Sequence, residues 1–389
     1  MKRIYMDHAA TTPTDPEVVR AMLPFWTDVF GNPSSVHQEG REAGRAVEEA
    51  RSTVAEVLGA RPEEIVFTAG GTESDNLALK GVADAKKDRG HHIITSKIEH
   101  HAVLETCRFL EGKGFHVTYL DVDDRGSVDP EAVQRAITDE TILVSIMHAN
   151  NEIGTIQPIA AIGRIVRERG IVFHTDAVQT AGHLATKVDE LDVDLLSLSA
   201  HKLYGPKGVG ALYIRKGTKI TPFLHGGEQE RRRRASTHNV PGIVGLGRAI
   251  ALAEARREVE GPRLTALRDR LIAGIVGGIE HTVLNGDPRG RLPSNVSVAI
   301  AFVEGESLVL SLDMEGIACA TGSACTSLSL EPSHVLIGIG LSHELAHGTL
   351  RFSLGRHTTE EDVDHVLAVL PGIVARLRAM SPLYQKEKK

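Results

Sequence analysis

The run Ile142-Leu143-Val144-Ser145-Ile146-Met147 is apolar at five of its six positions, and it decides the fold. A strand that is apolar on both faces must be covered on both faces, which is typical of parallel sheets flanked by crossover helices. Similar short apolar runs precede and follow it, separated by stretches with the apolar spacing of helices. Because strand and helix alternate from residue 64 to residue 214, the sequence predicts an α/β domain built from right-handed crossover units.

Seven strands and five helices are predicted in this part of the chain. The strands are rich in Val and Ile, and most are bounded by Gly, Asn or Asp. They span residues 64–68, 92–96, 116–120, 142–147, 172–174, 195–199 and 210–214. The helices span residues 38–58, 73–86, 102–112, 130–137 and 159–169.

A second region is predicted beyond residue 240. Two long helices, 240–258 and 262–279, are expected, with a kink or break at Gly261-Pro262, because proline disrupts the regular hydrogen bonding of a helix. The later elements are expected to be strands 295–301 and 316–318 and helices 307–314 and 360–380.

The domain boundary is placed near Gly261. Residues 12–260 are expected to form a large domain. Residues 1–11 and 261–389 are expected to form a smaller α+β domain, which carries a cysteine-containing loop at about 318–332.

The composition is that of an ordinary globular protein. The 389 residues include 44 Lys+Arg and 51 Asp+Glu, which gives a formal net charge of −7. This balance argues against a general nucleic-acid binder, whose phosphate contacts need a basic surface. No apolar run is long enough to span a bilayer, and residues 1–12 lack the apolar stretch of a signal peptide. We therefore expect a cytoplasmic protein with neither a nucleic-acid nor a membrane partner.

Polar side chains follow five of the predicted strands at the point where each strand ends. Ligands of doubly wound sheets bind outside the carboxyl ends of the strands. The sequence therefore predicts one site that holds a helix N-terminus, carboxylates, amides, imidazoles and a lysine. Its candidate residues are Gly70, Gly71, Thr72, Glu99, His100, His101, His148, Asn150, Asn151, Glu152, Asp176, Gln179, His201 and Lys202.

Three features of this edge indicate pyridoxal phosphate. Gly70 and Gly71 could let backbone amides approach a phosphate, and Thr72 opens a helix whose dipole favours one, although Thr72 with Asp75 also resembles a capping box. Lys202 follows a buried strand and could form a Schiff base, or it could be a surface lysine. Asp176 could keep a pyridine nitrogen protonated, or it could be a turn residue. A phosphate cradle, a Schiff-base lysine and a pyridinium aspartate are together the groups that this cofactor needs.

The three cysteines, Cys107, Cys319 and Cys325, are too few for a disulfide framework and lack the paired spacing of a structural zinc site. Residues 318–327 are small, polar or glycine, which is typical of a loop. Cys325 is therefore either an exposed reactive thiol or part of the filling of that loop. Cys319 follows apolar Ile317 and Ala318, and Cys107 lies within a helix pattern, so both are expected to be packed.

Arginines supply two further candidates. Arg351 in its apolar strand-like context could clamp a substrate carboxylate or pair with a carboxylate of the protein. The run Arg231-Arg232-Arg233-Arg234 follows two glutamates, so it is either a solvated, partly self-neutralised loop or a loop on the phosphate or partner side.

At the level of these motifs, the chain resembles the NifS/IscS-type cysteine desulfurases, which belong to fold type I of the pyridoxal-phosphate enzymes. The resemblance extends from Tyr5 through Pro382. It is carried by residues 6–13, 30–35, 71–76, 150–154, 174–179, 201–208, 322–327 and 351–356. It implies a large domain with a mostly parallel, helix-covered seven-stranded sheet and a smaller α+β domain. Ala200 and Thr321 depart from the usual glycine and serine, and both are small.

The resemblance also implies the roles of individual residues. Lys202 bonds covalently to the cofactor, Asp176 pairs with its ring nitrogen, His100 stacks on the ring and shuttles protons, and Cys325 carries the persulfide. The other implied contacts are Gly71, Thr72, Ser199 and His201 around the phosphate, Thr237 of the other subunit at the same phosphate, Asn151 and Gln179 around the phenolic oxygen or substrate, and Asn32, Asn151 and Arg351 at the substrate.

The implied activity is removal of sulfur from L-cysteine, which yields L-alanine and a persulfide on Cys325. The implied assembly is a homodimer that donates sulfur to an iron–sulfur scaffold protein of the IscU/NifU type or to another acceptor. No intrinsic metal is expected, and Cys325 could be a transient iron–sulfur ligand shared with the scaffold.

Three alternatives stay open at this point. An aminotransferase or a selenocysteine lyase would keep the cofactor, but an aminotransferase gives Cys325 no role. A zinc-binding regulatory protein is suggested by the pairs His91-His92 and His100-His101. Adjacent histidines on a strand point to opposite faces, so they are poor joint ligands.

Overall fold

The computed structural model describes residues 3–322 and 331–387. Its strands are β1 Ile4–Tyr5, β2 Ile65–Thr68, β3 His92–Ser96, β4 His116–Leu120, β5 Thr141–Ser145, β6 Val172–Asp176, β7 Leu195–Ser199, β8 Gly210–Ile214, β9 Thr282–Leu284, β10 Asn295–Ile300, β11 Ile317–Ala318 and β12 Thr349–Ser353. Its helices are α1 Pro16–Met22, α2 Pro24–Thr27, α3 Gln38–Leu58, α4 Gly71–Lys86, α5 His101–Glu111, α6 Pro130–Ala136, α7 Ile159–Glu168, α8 Val188–Leu191, α9 Gln229–Arg232, α10 Val240–Gly278, α11 Gly305–Met314, α12 His334–Gly338, α13 His343–His347, α14 Glu360–Met380 and α15 Pro382–Glu387.

The central sheet has seven strands in the order β2-β8-β7-β6-β5-β3-β4. Strands β4, β3, β5, β6 and β7 pair in parallel, whereas β8 is antiparallel to both of its neighbours. The prediction of an α/β fold with a mostly parallel seven-stranded sheet is confirmed.

Consecutive residues of the central strands face opposite sides of the sheet, and both sides are apolar cores. Ile94 and Val144 pack in the core that contains α3 and α7, whereas Ile93 and Leu143 pack in the core that contains α4 and α5. This alternation explains why residues 142–147 are apolar at nearly every position.

A smaller region is built around a third apolar core. Strands β12, β10 and β9 form an antiparallel sheet, and β1 pairs in parallel with β11. Residues such as Met6, Leu271, Val298 and Phe352 pack together there. The chain passes between the first core and the third within α10, and the predicted division into domains near Gly261 stays a prediction.

The predicted division into two helices is wrong, because α10 runs from Val240 to Gly278 without a break at Gly261-Pro262 and with Pro262 inside it. Packing at both ends of the helix overrides the local cost of the proline. A Cβ at Gly247 would lie 2.8 Å from the Cβ of Ala50, and one at Gly274 would lie 2.5 Å from a methyl carbon of Leu367. Within the described ranges, no helix combines the length and apolar character that a membrane span requires.

Candidate active site

The candidate residues come from the carboxyl ends of neighbouring strands. Asp176 is the last residue of β6, and Lys202 lies in a 3₁₀ turn, Ala200–Lys202, that directly follows β7. His100 is the N-cap of α5, and α4 begins at Gly71 just after β2. Since these strands end at one edge of the sheet, the polar side chains meet there.

A cavity of about 270 Å³ brings ten of the predicted residues together. They are Gly71, Thr72, His100, Asn151, Asp176, Gln179, Ser199, His201, Lys202 and Arg351. It shares residues, including Gly71 and Ser199, with a wider cavity of about 850 Å³ over the start of α4. The prediction that one site collects these residues is therefore supported by their positions, whereas the role of each one stays a proposal.

Lys202 lies against the N-terminal segment of the chain. Its Nζ donates to the carbonyl oxygen of Ala10 at 2.8 Å and to that of Ala9. Gln179 Nε2 donates to the same Ala9 oxygen at 3.1 Å. These contacts hold an amine at the cavity wall within reach of a carbonyl compound.

Asp176 is buried, and one of its oxygens accepts the backbone N–H of Val178 at 2.8 Å. Burial raises the pKa of Asp176, while the Val178 N–H and the charge of Lys202 act in the opposite direction. A buried carboxylate at the cavity wall is suited to a protonated heterocyclic nitrogen.

Asp75 is a cavity residue that the sequence interpretation missed. The capping-box interpretation of Thr72 and Asp75 is wrong, because Gly70 is the N-cap of α4 and Asp75 is 1% exposed. Its Oδ1 has no hydrogen-bond partner among the described residues. Burial, and after it the charge of Asp176, raises the pKa of Asp75 well above its usual value. The spacing of Asp75 from buried Ala78 and Val82 was the signal, since it places all three on one helix face.

His100 presents a neutral ring to the cavity. Its Nδ1 accepts the backbone N–H of Ala102 at 3.1 Å. Burial, followed by the charges of Lys202 and His101, lowers the pKa of His100 to about 4. A neutral imidazole near pH 7 can stack on an aromatic ring and can exchange a proton with a bound molecule.

The start of α4 fits a phosphate. A Cβ at Gly71 would lie 2.6 Å from Cγ2 of Val178, so only glycine leaves its amide accessible at this packing distance. His201 Nδ1 lies 3.1 Å from the hydroxyl of Thr11, and burial lowers the pKa of His201 to about 4. Helix amides, hydroxyls, an imidazole, an amine and a carboxylate are the donor set that pyridoxal phosphate requires.

Arg351 forms one of its two predicted pairings, that with a carboxylate of the protein, and the clamp for a substrate carboxylate stays a prediction. Its Nη2 lies 3.0 Å from Oδ1 of Asp7, and its Nη1 donates to the Asn151 carbonyl oxygen at 3.3 Å. Its buried Nε has no partner within the described residues, although the side chain borders the cavity. That unused donor could hold a carboxylate.

Several other predicted residues do not line the cavity: Gly70, Glu99, His101, His148, Asn150, Glu152, Asn32 and Thr237. Asn32 is exposed, and its Oδ1 accepts the Ser34 N–H at 3.0 Å, so the described chain does not bring it to Arg351. This Asx turn is a local use of the side chain that the motif did not reveal. Thr237 is exposed, and its predicted contact with another subunit stays a prediction.

The two cysteines that lie within the described residues are packed, as predicted. Cys107 and Cys319 are buried, and burial raises the pKa of each thiol to about 12, so both are unreactive. Cys325 lies outside the described residues.

The histidine pairs do not assemble a metal site in the described part of the chain. His92 instead contacts the hydroxyls of Thr141 and Thr118, each at 2.8 Å. Across residues 3–322 and 331–387, no three His, Cys, Asp or Glu side chains are grouped so that they could hold a metal ion.

Known proteins similar to the chain cover nearly all of its length. Residues 4–366 match the aminotransferase class-V family. The chain is 58% identical to the cysteine desulfurase IscS of Dictyoglomus turgidum, with 100% of this chain and 99% of that relative covered. A solved NifS-like protein superposes with a TM-score of 0.91 at 42% identity, covering 97% of this chain and all of that one. SspA in complex with cysteine has a TM-score of 0.81 at 39% identity, covering 92% and 100%.

Proposed function

Because the chain belongs to the aminotransferase class-V family and is a pyridoxal-phosphate-dependent cysteine desulfurase, we propose that Lys202, Asp176 and Cys325 divide its chemistry. Its fold is that of the NifS-like enzymes of fold type I. The single observation that supports this assignment of roles is the convergence of Lys202, Asp176 and His100 on one cavity.

The reaction converts L-cysteine and the Cys325 thiol into L-alanine and a Cys325 persulfide. The carbon–sulfur bond of the substrate breaks and a sulfur–sulfur bond forms, so that atoms and electrons balance without another reactant. The bound cofactor supplies an electron sink for the charge that develops at the substrate Cα.

Protein side chains position the substrate and move its protons. The Nζ of Lys202 removes the Cα proton, while the Asp176 carboxylate holds a proton on the ring nitrogen. His100 is neutral near pH 7 and exchanges protons beside the ring. The unused Nε of Arg351 binds the substrate carboxylate, and the Sγ of Cys325 attacks the substrate sulfur.

The assignment is tested by anaerobic incubation with L-cysteine, in which alanine, sulfide and protein persulfide are measured. Replacing Lys202 by Ala should lower alanine formation by about 10³-fold or more, because it removes the proton-accepting amine. Cys325→Ala should abolish persulfide and sulfide formation. Cys107→Ala is the matched control, since Cys107 is a buried thiol outside the cavity. Sulfide release that persists in Cys325→Ala would contradict the persulfide role.

We also infer a homodimer, a scaffold for iron–sulfur clusters as sulfur acceptor, and a cytoplasmic location. The exposure of Thr237 supports a role at the phosphate of the other subunit. Heterodimers of Lys202→Ala and Thr237→Val chains would contain one site with both native residues. They should recover activity that neither homodimer has, whereas heterodimers without activity would argue against the exchange.

Pull-down of a scaffold protein, with Cys325→Ala as control, tests the acceptor.

A further inference from the structure

The phosphate end of the site contains a carboxylate that would repel a phosphate. Glu73 lies in the first turn of α4 and lines the wider cavity beside Gly70, Gly71 and Thr72. Its Oε2 accepts the backbone N–H of Ala69 at 2.8 Å, which fixes the carboxylate next to the helix N-terminus. The same N-terminus provides the amides that a phosphate needs. An anion bound there would therefore lie close to a second negative charge.

Arg234 compensates this charge. Its Nε lies 2.8 Å from Oε1 of Glu73, and its Nη2 donates to Oε2 at 3.3 Å, so the pair is bidentate. The side chains of Arg234 and Glu73 are only 18% and 16% exposed, and solvent therefore screens the pair weakly. Arg234 is the last residue of the arginine run.

The segment that carries Arg234 is fixed to the edge of the sheet by its neighbours. Glu230 forms a bidentate ion pair with Arg51 at 2.8 and 2.9 Å, and it also accepts the backbone N–H of Phe67 at 3.0 Å. Arg233 donates to the carbonyl oxygen of Glu63 at 3.0 Å. Arg232, in contrast, is 76% exposed and pairs only with exposed Glu228 among the described residues. The run is thus not a uniformly solvated loop.

We propose that Arg234 is a positioning residue of the phosphate site. It neutralises Glu73 and holds that carboxylate against the Ala69 N–H, so that the amides at the start of α4 can donate to a bound anion. The inference rests on the proposed placement of the cofactor phosphate at Gly71 and Thr72. It assigns one of the four arginines to the cofactor site and leaves Arg232 at the surface.

The test compares how apoenzyme variants bind pyridoxal phosphate and pyridoxal, which lacks the phosphate. Arg234→Met should weaken pyridoxal phosphate binding by about tenfold or more, because an uncompensated carboxylate then faces the phosphate. Pyridoxal binding should change by less than about twofold, since its attraction to the site does not depend on that charge. The dissociation constants are measured by absorbance titration.

A second substitution separates the charge effect from misfolding. In the double variant Glu73→Gln with Arg234→Met, the repelling charge is gone and the Ala69 N–H keeps an acceptor. Its affinity for pyridoxal phosphate should return to within about threefold of wild type. Arg232→Met is the matched control from the same run and should leave both affinities unchanged.

Two results would overturn the inference. One is an equal loss of affinity for both ligands in Arg234→Met, which would indicate a general structural role. The other is a double variant that binds pyridoxal phosphate as weakly as Arg234→Met. Thr72→Val tests the phosphate placement separately. If Thr72→Val loses the preference for pyridoxal phosphate over pyridoxal and Arg234→Met keeps it, the proposed role of Arg234 is wrong and the phosphate placement stands. If neither variant loses it, the placement itself is wrong.

Discussion

Gly71 is the residue at which the phosphate site depends most closely on packing. A Cβ there would lie 2.6 Å from Cγ2 of Val178, inside van der Waals contact. Gly71→Ala should therefore shift the start of α4 and weaken pyridoxal phosphate binding by about tenfold. In a Val178→Ala background the clash is relieved, and most of that loss should disappear. Titration with pyridoxal phosphate of four apoenzymes, namely wild type, Gly71→Ala, Val178→Ala and the double variant, measures this coupling. Losses of binding free energy that are strictly additive would contradict the steric cause.

Glu99 is a buried carboxyl group next to His100. Its Oε1 accepts the hydroxyl of Ser96 at 2.7 Å and the Met147 N–H at 3.0 Å, and its Oε2 has no partner in the described chain. Burial raises the pKa of Glu99 to about 8, from a usual value of 4.5. Because the pKa of Glu99 is raised in the folded protein, its protonated carboxyl group contributes its full stabilisation below pH 4.5. This contribution is lost as the pH rises through 8.

Glu99→Gln should remove this pH dependence. Between pH 5 and pH 8, the free energy of unfolding of wild type should fall relative to that of the variant by roughly 3 to 5 kcal/mol. Denaturant unfolding at several pH values measures the difference. Exposed Glu56→Gln is the matched control and should follow wild type. A constant difference across this range would mean that Glu99 does not titrate there.

At the residue scale, the sequence predicted the groups whose chemistry is unusual for their position. Asp176 is the last residue of buried β6 and Lys202 ends the turn that follows buried β7, so their polarity at the ends of buried strands marked them. Asp75 was missed because its spacing from Thr72 also suits a helix cap, and only the burial of that helix face separates the two cases. Asn32 was linked to Arg351 by resemblance, and local hydrogen bonding of its side chain leaves no periodic signal.

At the element scale, the ion pair between Arg51 and Glu230 covers the open edge of the central sheet. Strand β2 is the edge strand, and this pair bonds the Phe67 N–H and the Ile65 carbonyl oxygen that point away from β8. Glu230 reaches its position through left-handed backbone, with φ of 47°. Such a conformation costs roughly 1 to 2 kcal/mol, which the buried contacts offset.

Glu230→Gln should destabilise the protein by roughly 3 to 5 kcal/mol near pH 7, because buried Arg51 would keep only its ion pair with exposed Glu48. The Arg51 ion pair and the His238 contact hold the pKa of Glu230 at about 2 despite burial. Since that pKa is lowered, the stabilisation is present above pH 4.5 and is lost as the pH falls through 2. Unfolding free energies of variant and wild type should thus converge in acid. Exposed Glu228→Gln should behave like wild type at every pH.

The ends of helices and strands were predicted well wherever the element packs against a single core. Helix α3 has its buried residues three and four apart and ends before Gly59, which has a φ of 68°. Helix α10 was divided wrongly because it serves two cores, so its periodicity changes on either side of Pro262. Strand β9 has only three residues and was not predicted, and β12 was recognised only as the strand-like context of Arg351, since its pairing with β10 joins residues far apart in the chain.

At the scale of the whole molecule, the N-terminal segment joins the two regions across the cavity. Strand β1 pairs with β11, Asp7 pairs with Arg351, and the carbonyl oxygens of Ala9 and Ala10 accept Lys202. None of these contacts is local, so neither periodicity nor capping could have predicted them. The site is therefore complete only when both regions are in place.

Arg356 is a second link between the regions, and it leads to a prediction about cooperativity. Its Nη1 lies 2.5 Å from Asp15, its Nε lies 2.7 Å from Glu260, and its guanidinium stacks 4.2 Å from the ring of Tyr204. Arg356 follows β12, whereas Asp15 and Tyr204 lie beside the first core. Removing this side chain would take the ion pair from Glu260 and leave Asp15 with only its 3.3 Å contact to Arg256, so two mostly buried carboxylates would lose compensation at the junction.

Arg356→Met should therefore destabilise the junction by roughly 3 kcal/mol and separate the unfolding of the two regions. Trp26, the single tryptophan, is 63% exposed and lies on α2, where its neighbour Phe25 packs against the first core, so its fluorescence reports the loss of that helix. Circular dichroism reports the helices of both regions. The two denaturant curves should coincide in wild type and diverge in Arg356→Met, whereas Arg248→Met, whose ion pair with Glu17 is surface-exposed, should keep them together. Curves that coincide in Arg356→Met would show that the N-terminal segment and α10 are sufficient to couple the regions.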